Sequence, residues 1–518
     1  MKKTRGALPA LAAVAAVAIA GCGGSEDSSS DLAGFASPGS LVFLEAELEP
    51  SGELKADADA VAATVAGADS LGDLVVEEIE EAAREDGERL DFDAEVRPWL
   101  GERAAVAFAE IEDGDLTDPL VLVETTDPEA TQRFVDERTR EGEDRYRDAS
   151  YEGVEFRVGG SEDQAIGVLD DFLVVAEGER GFEAAVDASE GESLGDEAGF
   201  QRAISAASQG SLADVYLDVG RLVEGSDERV DPRARRALES AGIDLSEATA
   251  VASVIPGEER VEIEVSSETG DQEAPSGEAS ELLGTMPADA FAAFATSGFG
   301  EQVKDAIDEL DSEGVPGQVP PNQLKSTLRA AGIDLDRIAD SLEDAAVFAQ
   351  GSNEASLGGA LVLTSDSGEA AKTVANLGVL LRSTGTPGVT AIARDGASGF
   401  SVRSEDLGRK PLVVVAEGRR IAIGYGVAPA LRGLAPGAET LSGTPAYEAA
   451  VSALGDTPIG AFAAGPAALR LADAMVSAED RADFREARPY LDEIAWIGVG
   501  SGSDGELATA KVIVGLEE

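Results

Sequence analysis

The chain has 518 residues, of which 40 are basic and 101 acidic, so its formal net charge is −61. This sign argues against nucleic acid as a partner, because nucleic-acid binding depends on neutralising phosphates. The chain has no histidine, which excludes Ser-His-Asp catalysis and removes the usual zinc ligands. We therefore expect no cofactor. The 43% of hydrophobic residues argues against a disordered chain, and the length is too great for one core, so two or more domains are expected.

The N-terminal residues have the three-part pattern of a bacterial export signal. Lys2, Lys3 and Arg5 are basic, and the segment 7–20 is almost entirely apolar. A helix needs roughly 20 apolar residues to cross a bilayer, so this segment is too short for a permanent span. The pattern predicts a cleaved signal peptide over residues 1–21.

The signal ends in Ile19-Ala20-Gly21-Cys22, which resembles the lipobox of bacterial lipoproteins. The resemblance implies that the Cys22 thiol receives diacylglycerol and that cleavage falls between Gly21 and Cys22. The protein would then be a lipoprotein at the extracytoplasmic face of the cell membrane. The alternative is an ordinary secretory signal with a chance cysteine. Residues 22–34 are interpreted as the acylated cysteine and a flexible Gly/Ser-rich tether.

The remaining residues predict an α+β fold of two tandem related domains, 35–269 and 282–518, joined by a polar linker at 270–281. Each would have a mainly antiparallel or mixed sheet with helices packed on one face. The repeat is inferred from short matches in the same order, of which the closest joins 171–178 to 411–418. The other matches join 38–43 to 287–292, 90–93 to 333–336, 120–125 to 360–364, and 199–200 to 445–447.

Strands and helices are predicted in mixed order along the first domain. The apolar patterns indicate strands at 41–48, 104–110, 120–125, 154–158, 165–169, 172–177, 214–219, 248–255 and 260–266. Helices are expected at 57–86, 127–140, 181–188, 199–208 and near 232–241. The second domain follows the same plan, has a loop at 314–321 and closes with strands at 493–499 and 508–514.

Several segments resemble one uncharacterised bacterial family. These are Pro38-Gly-Ser-Leu-Val-Phe43, Asp91-Phe-Asp93, Arg97-Pro-Trp-Leu-Gly-Glu102 and Thr126-Asp-Pro-Glu-Ala130, all downstream of the lipobox. Together they look like domain of unknown function 3352, a family common in actinobacterial envelope lipoproteins. The resemblance is clearest over 36–220, and the second domain has Leu342 near the place of Trp99. It implies location and architecture, and no activity.

Two glycine motifs resemble catalytic or cofactor motifs. The segment 191–195 matches Gly-x-Ser-x-Gly, but a nucleophile elbow needs a histidine partner that the chain lacks. The segment 500–505 matches Gly-x-Gly-x-x-Gly, which binds dinucleotides only where a helix begins. We interpret the first as a link between helices and the second as a hairpin turn.

A few residues remain as candidates for a binding site. Trp99 and Trp496 either pack in the core or form one wall of a ligand groove. Asp113, Asp115 and Asp118 are spaced as calcium ligands could be, but the complete loop pattern is absent. A solvated acidic turn is the alternative interpretation.

Three classes of function remain open. The leading hypothesis is a non-enzymatic envelope lipoprotein that binds a partner protein, an envelope polymer or a lipid. The second is a carrier of a lipid or other apolar ligand in a cavity. The third is a glycan-active enzyme, which would need two carboxylates about 5–10 Å apart in a cleft.

Overall fold

The structure is a computed structural model, and parts of the chain lie outside its described residues. It describes residues 31–85, 89–112, 115–141, 146–159, 164–225, 248–268, 277–313, 320, 322–330, 333–353, 355–366, 369–383, 385–394, 396–404, 408–435, 437, 439–476, 481–504 and 507–517. The predicted signal peptide with Gly21 and Cys22 therefore lies outside the described residues. So do the helix predicted near 232–241 and most of the loop predicted at 314–321.

The chain divides into two compact units. Unit 1 extends to Gln272 and includes Ser503–Val512 and Leu516–Glu518. Unit 2 consists of Glu273–Gly502 and Ile513–Gly515.

Unit 1 contains ten strands and seven helices among its described residues before Gln272. The strands are β1 (Val42–Glu47), β2 (Leu100–Glu112), β3 (Asp115–Thr125), β4 (Tyr146–Tyr151), β5 (Val154–Gly159), β6 (Gln164–Leu169), β7 (Phe172–Glu177), β8 (Ala213–Asp218), β9 (Thr249–Gly257) and β10 (Arg260–Glu268). The helices are α1 (Gly52–Ala66), α2 (Leu71–Glu85), α3 (Phe92–Glu95), α4 (Pro128–Glu141), α5 (Gly178–Glu190), α6 (Ala198–Ser205) and α7 (Val219–Gly225).

The strands of unit 1 pair in the order β4-β5-β6-β7-β3-β2-β1-β8-β9-β10, and each of these pairings is antiparallel. The predicted α+β class is confirmed. Neighbouring strands are mostly joined by hairpins, and the long connections carry the helices. A purely antiparallel sheet thus replaces the mixed alternative.

Helices cover both faces of this sheet, which corrects the prediction that they pack on one face. On β3, Leu122 belongs to a cluster with Phe182 of α5. Its neighbours Val121 and Val123 belong to a different cluster, with Phe134 of α4. Successive residues of a strand face opposite sides. A run that is apolar at every position therefore needs cover on both sides.

The packed part of unit 1 begins earlier than the predicted tether allows. A 3-10 helix spans Asp31–Phe35, and Leu32 and Ala33 are completely buried in the same cluster as Phe43. The tether predicted over 22–34 is therefore too long by four residues at its C-terminal end. The reason is that Leu32 and Phe35 are apolar and buried, so they join the core although the sequence before them is polar.

The helix predicted over 57–86 is in fact two helices, α1 and α2. α1 ends at Gly67, whose φ of 66° is left-handed and whose N–H donates to the carbonyls of Ala62 and Ala63. Glycine takes this conformation without the steric cost that a Cβ would bring. The Asp59 carboxylate then accepts a hydrogen bond from the N–H of Leu71 (3.0 Å), so α1 caps the beginning of α2.

Unit 2 contains the remaining strands and nine helices among its described residues. The strands are β11 (Ala290–Thr296), β12 (Leu342–Gln350), β13 (Gly358–Ser365), β14 (Val389–Arg394), β15 (Ala397–Val402), β16 (Leu412–Glu417), β17 (Arg420–Tyr425), β18 (Ile459–Ala464) and β19 (Ile494–Asp504). The C-terminal strand is β20 (Leu507–Leu516), and both β19 and β20 have residues in both units. The helices are α8 (Gly277–Gly284), α9 (Phe299–Glu313), α10 (Leu324–Ala330), α11 (Leu335–Asp340), α12 (Glu369–Ser383), α13 (Val427–Leu434), α14 (Pro445–Leu454), α15 (Gly465–Met475) and α16 (Arg481–Asp492). Since α8 begins at Gly277, the last five residues of the predicted linker 270–281 are helical.

The strands of unit 2 pair in the order β14-β15-β16-β17-β13-β12-β11-β18-β19, which is the order of unit 1 from β4 to β9. Small details recur as well. The Asp91 side chain caps α3 and the Asp334 side chain caps α11, each by accepting an N–H three residues later. The sequence match between 90–93 and 333–336 therefore marks two equivalent helix starts.

The closest sequence match, between 171–178 and 411–418, joins strands that are not equivalent. β7 pairs with β3 at one edge and β6 at the other. In unit 2 the strand with these two roles is β17, whereas β16 lies between β15 and β17. The two apolar runs are alike because both strands are buried, and their place in the sheet differs by one strand.

Exchanging buried Leu122 for alanine should destabilise unit 1. Leu122 is fully buried at the centre of β3, and we expect Leu122→Ala to cost about 2–5 kcal/mol of unfolding free energy. Leu116 of the same strand is 40% exposed, and Leu116→Ala should stay within about 0.5 kcal/mol of the parent. Urea denaturation followed by Trp99 fluorescence, in a Trp496→Phe background, measures both. Equal midpoints for the two variants would contradict this assignment of the core.

Candidate functional site: a cavity beneath two helices of unit 1

A cavity of about 520 Å³ lies in unit 1 between the helix pair α1–α2 and the sheet. This volume falls within the range of about 300–1,000 Å³ that is typical of small-molecule sites. Half of its lining residues are apolar: Leu48, Leu71, Val75, Val76, Ile79, Phe92, Val96, Trp99, Leu100 and Val123.

The helical wall of the cavity comes from one stripe of α2. Leu71, Val75 and Ile79 recur every four residues, so their side chains lie on one face of the helix. Ile79 is buried against the strand residues Val106 and Val121. The sequence predicts helix over these residues but no site. The signal was this regular apolar stripe.

Trp99 forms the inner wall and is also part of the core. It is 2% exposed, and its ring lies 5.4 Å from that of Phe134. Its indole Nε1 donates to the Glu95 carbonyl oxygen (2.7 Å), so the polar atom of the ring is satisfied. Trp99 is therefore a core residue that also lines the cavity, and its contact with a ligand stays a prediction.

Polar side chains connect α1 to α2 at one side of the cavity. Lys55 Nζ lies 2.7 Å from Asp59 Oδ2, and the other Asp59 oxygen accepts the N–H of Leu71. Ser70 Oγ donates to Asp73 Oδ2 (2.7 Å). These contacts hold α1 and the start of α2 in place and put a hydroxyl and charged groups at one side of the cavity.

Two glutamates, Glu49 and Glu102, also line the cavity. The N–H of Leu48 donates to the Glu102 carbonyl (2.6 Å), so the chain after β1 stays paired with β2 beside the cavity. Glu47 is the last residue of β1. Burial, and then the charge of Glu102, raise the pKa of Glu47 above its usual range, while Arg103 opposes this.

The equivalent sheet positions in unit 2 are far more exposed. Leu44 pairs with Val106 in unit 1, and Phe294 pairs with Val347 in unit 2. Leu44 and Val106 are each 7% exposed beneath the helix pair, whereas Phe294 is 51% and Val347 44% exposed. The cavity therefore results from how α1 and α2 pack over unit 1.

The second predicted tryptophan, Trp496, packs in the core of unit 2. It is 8% exposed and belongs to a cluster with Tyr447 and Phe462. A Cβ at Gly515 would collide with its indole, which requires glycine there. Trp496 does not line the cavity of unit 1.

The residue of unit 1 that is equivalent to Leu342 is Leu100, and not its neighbour Trp99. Leu100 pairs with Thr125 at the end of β3, and Leu342 pairs with Ser365 at the end of β13.

The three predicted calcium ligands fall in the hairpin of β2 and β3. Asp113 and the side chain of Asp115 lie outside the described residues. Asp118 has a left-handed φ of 55°, and burial followed by the charges of Glu110 and Glu177 raises its pKa. Across the residues that the structure describes, no group of three or more acidic side chains is arranged to hold a metal ion.

The two glycine motifs have structural roles. Ser193 of the first motif is buried and forms a capping box with Asp196 at a short 3-10 helix, Leu194–Asp196. It therefore lies in the predicted link between helices, α5 and α6. Gly500 and Gly502 of the second motif lie within β19, and strand β20 follows it instead of a helix.

Comparison with known proteins identifies the family. Residues 75–397 match the family described as "Protein of unknown function (DUF3352)". The chain belongs to the DUF3352 family. The match begins within α2 and extends into unit 2 as far as β15. The segment 36–220, where the resemblance is clearest, lies entirely in unit 1. It thus includes the helix and the tryptophan that line the cavity.

Two solved structures of TP0453 are weakly similar to this DUF3352 protein. "Structure of crystal form III of TP0453" has a TM-score of 0.27 at 10% identity and covers 48% of this chain and 83% of its own. Crystal form I has a TM-score of 0.24 at 10% identity and covers 48% and 82%. No curated protein matches the chain. Among the described helices, none has the length and apolar character needed to cross a membrane.

Removing the charge of Glu47 should stabilise unit 1 at neutral pH. A raised pKa means that the folded state holds this proton more tightly, so stability falls as pH rises from 4.5 through the folded pKa. We expect Glu47→Gln to raise the urea midpoint at pH 7 and to flatten its fall with pH. Glu45 is the control, because its ion pair with Arg103 (3.4 Å) makes Glu45→Gln neutral or destabilising by about 0–1 kcal/mol. A lower urea midpoint for Glu47→Gln than for the parent would show that the charge of Glu47 does not destabilise the folded state.

Proposed function

We propose that this DUF3352 protein is a non-enzymatic envelope lipoprotein whose unit 1 binds a small apolar or amphipathic molecule in the cavity. The observation that carries the proposal is the space of about 520 Å³, half of whose lining residues are apolar. The space opens to solvent, because lining residues such as Ser51, Asp73 and Arg97 are exposed. A volume of this size, with a few charged groups at its edge, suits a ligand with a hydrocarbon portion.

The chemistry of the side chains favours binding over catalysis. The chain has no histidine, and its one cysteine is Cys22 in the export signal. The Lys55 and Arg97 groups that line the cavity are each held by a carboxylate, at 2.7 Å from Asp59 and Asp93 respectively. Such paired groups orient a ligand but are not poised to transfer protons.

The lipid anchor is the second part of the proposal. The sequence Ile19-Ala20-Gly21-Cys22 supports acylation of Cys22 and residence at the extracytoplasmic face of the cell membrane. A single acyl chain binds membranes only marginally, whereas two or more give stable attachment. An anchored binding protein would meet membrane-derived amphiphiles at high local concentration.

A duplication is the third part. The eight shared strand pairings and the two capping aspartates, Asp91 and Asp334, support descent of both units from one ancestor. The cavity of unit 1 would then be a specialisation, since its helix pair covers positions that are exposed in unit 2.

Ligand occupancy can be tested by native mass spectrometry of the protein from its own host, using the Cys22→Ala chain to avoid signal from the anchor. We expect one small apolar molecule per chain, which organic solvent extracts. Val76→Trp should fill the cavity and reduce occupancy about tenfold or more, because Val76 lines the space without being fully buried. Leu116→Trp adds the same ring at an exposed site and should leave occupancy unchanged. Equal occupancy in the two variants would exclude the cavity as the site.

The anchor is tested by cell fractionation. Cys22→Ala removes the only thiol, so we expect the protein to move from the membrane fraction to the soluble extracytoplasmic fraction. Ser28→Ala, in the same polar segment, should remain with the membrane. A Cys22→Ala protein that stays in the membrane fraction would show that the anchor assignment is wrong.

A further inference from the structure

We propose that unit 2 binds one amphipathic helix of a partner protein on an apolar part of its sheet, which we call the open face. The open face consists of two rows of paired residues on strands β18, β11, β12 and β13. The first row is Ala461, Phe294, Val347 and Leu361, and the second is Ala463, Ala292, Ala349 and Gly359. The proposal concerns unit 2 alone and does not depend on the cavity of unit 1.

The open face has no polar residue at any of its eight positions, and yet it is not buried. Phe294 is 51% exposed and its pairing partner Val347 is 44% exposed. The other six residues are half-buried. Single exposed apolar side chains are ordinary on a protein surface, whereas adjoining ones mark an interaction site.

The equivalent sheet positions of unit 1 show which element fits such a face. The row of unit 1 that corresponds to the first row is Val215, Leu44, Val106 and Val121. Leu71 of α2 packs in a cluster with Leu44, and Ile79 of the same helix packs with Val106 and Val121. α2 therefore crosses the strands and buries the row, leaving Leu44 and Val106 each 7% exposed.

The size of the open face also selects a single helix. Four strands about 4.8 Å apart span about 14 Å, and two rows on one side of a strand lie about 7 Å apart. A helix rises about 12 Å between positions equivalent to Leu71 and Ile79, at about 1.5 Å per residue. A second copy of this chain would need a far larger surface, since a stable dimer buries about 800 Å² on each partner.

Helices α9 and α12 border the open face. Phe299 of α9 and Leu377 of α12 pack in one cluster with Ala345, which lies on the same side of β12 as Val347. A helix with its side chains is about 10–12 Å thick, so these helices stand well above the sheet beside the open face. A flat bilayer surface would meet the helices first, whereas a single helix fits on the sheet next to them.

The charge of the surroundings favours a basic helix. Glu301, Asp305 and Glu309 recur every four residues of α9, so they lie on one side of that helix, and all three are exposed. The whole chain has a formal net charge of −61. A separate acidic helix would be repelled, and we therefore expect the partner helix to have lysine or arginine on its polar side.

The test uses a labelled peptide whose apolar stripe is known to fit the equivalent row. It has the sequence of α2, Leu71–Glu85, with lysine in place of each aspartate and glutamate and a staple on its polar side to keep it helical. Binding to the whole Cys22→Ala chain is measured by fluorescence anisotropy. A control peptide has glutamine also at the positions of Leu71, Val75 and Ile79, and it should bind about tenfold or more weakly because it keeps the charge but loses the stripe.

Two variants of the protein place the same new charge at similarly exposed valines. Val347→Asp puts a carboxylate into the open face, and it should weaken binding of the stripe peptide about tenfold or more. Val451→Asp is the control, because Val451 is 40% exposed on α14, which packs with Phe348 on the other side of the sheet. It should change binding by less than about threefold. Phe294→Ser, expected to lose part of the binding, decides the case if Val347→Asp does not fold.

Binding that requires the stripe, is lost in Val347→Asp and is kept in Val451→Asp supports the proposal. Equal binding of the two peptides, equal effects of the two variants, or no binding of the stripe peptide overturns it. Two further measurements identify a different occupant. If the parent floats with vesicles of phosphatidylglycerol and phosphatidylethanolamine and Val347→Asp does not, the open face binds a membrane. If the parent sediments as a dimer and Val347→Asp as a monomer, a second copy covers it, and either result overturns the proposal.

Discussion

The central strands of this protein must be covered on both faces, and most of the architecture follows from that constraint. Val121, Leu122 and Val123 are consecutive, and all three are buried. Because successive strand residues face opposite sides, no arrangement with one solvated face can accommodate them. Each long connection between strands therefore carries a helix that returns to the sheet. In unit 1, α5 and α6 cover one face, while α2 and α4 cover the other.

The cavity is a consequence of how one of these covers is built. α1 and α2 are joined through Gly67 and held by Asp59, which binds Lys55 and the N-terminus of α2 together. A rigid helix pair cannot follow the twist of the sheet at every point. The stripe with Leu71 and Ile79 meets the sheet, and a space remains over Trp99. The same interaction that fixes the cover thus preserves the volume beneath it.

The sequence predicts the elements well and their arrangement less well, for physical reasons. Asp127 before Pro128 marks the start of α4, and the Asp127 side chain does accept the N–H of Ala130. Local signals of this kind depend on adjacent residues alone. By contrast, the buried strands β7 and β16 have nearly the same sequence and different neighbours, because burial selects composition whereas pairing depends on distant partners. The apolar stripe of α2 is visible in the sequence, but the volume of the cavity is not, since it depends on packing between elements. The continuous apolar run of β7, Phe172–Ala176, is buried throughout, and such a run is the local pattern that indicates cover on both faces.

Charge acts at two scales in this molecule. The net charge of −61 creates a long-range negative field that repels anions and keeps an exposed protein soluble. That field is screened within about 8–10 Å in physiological salt, so it attracts cations without selecting among them. Selection requires unpaired charge at a defined place next to an apolar space. Asp59 and Asp73 beside the cavity are already paired or hydrogen-bonded, so they do not contribute to such selection.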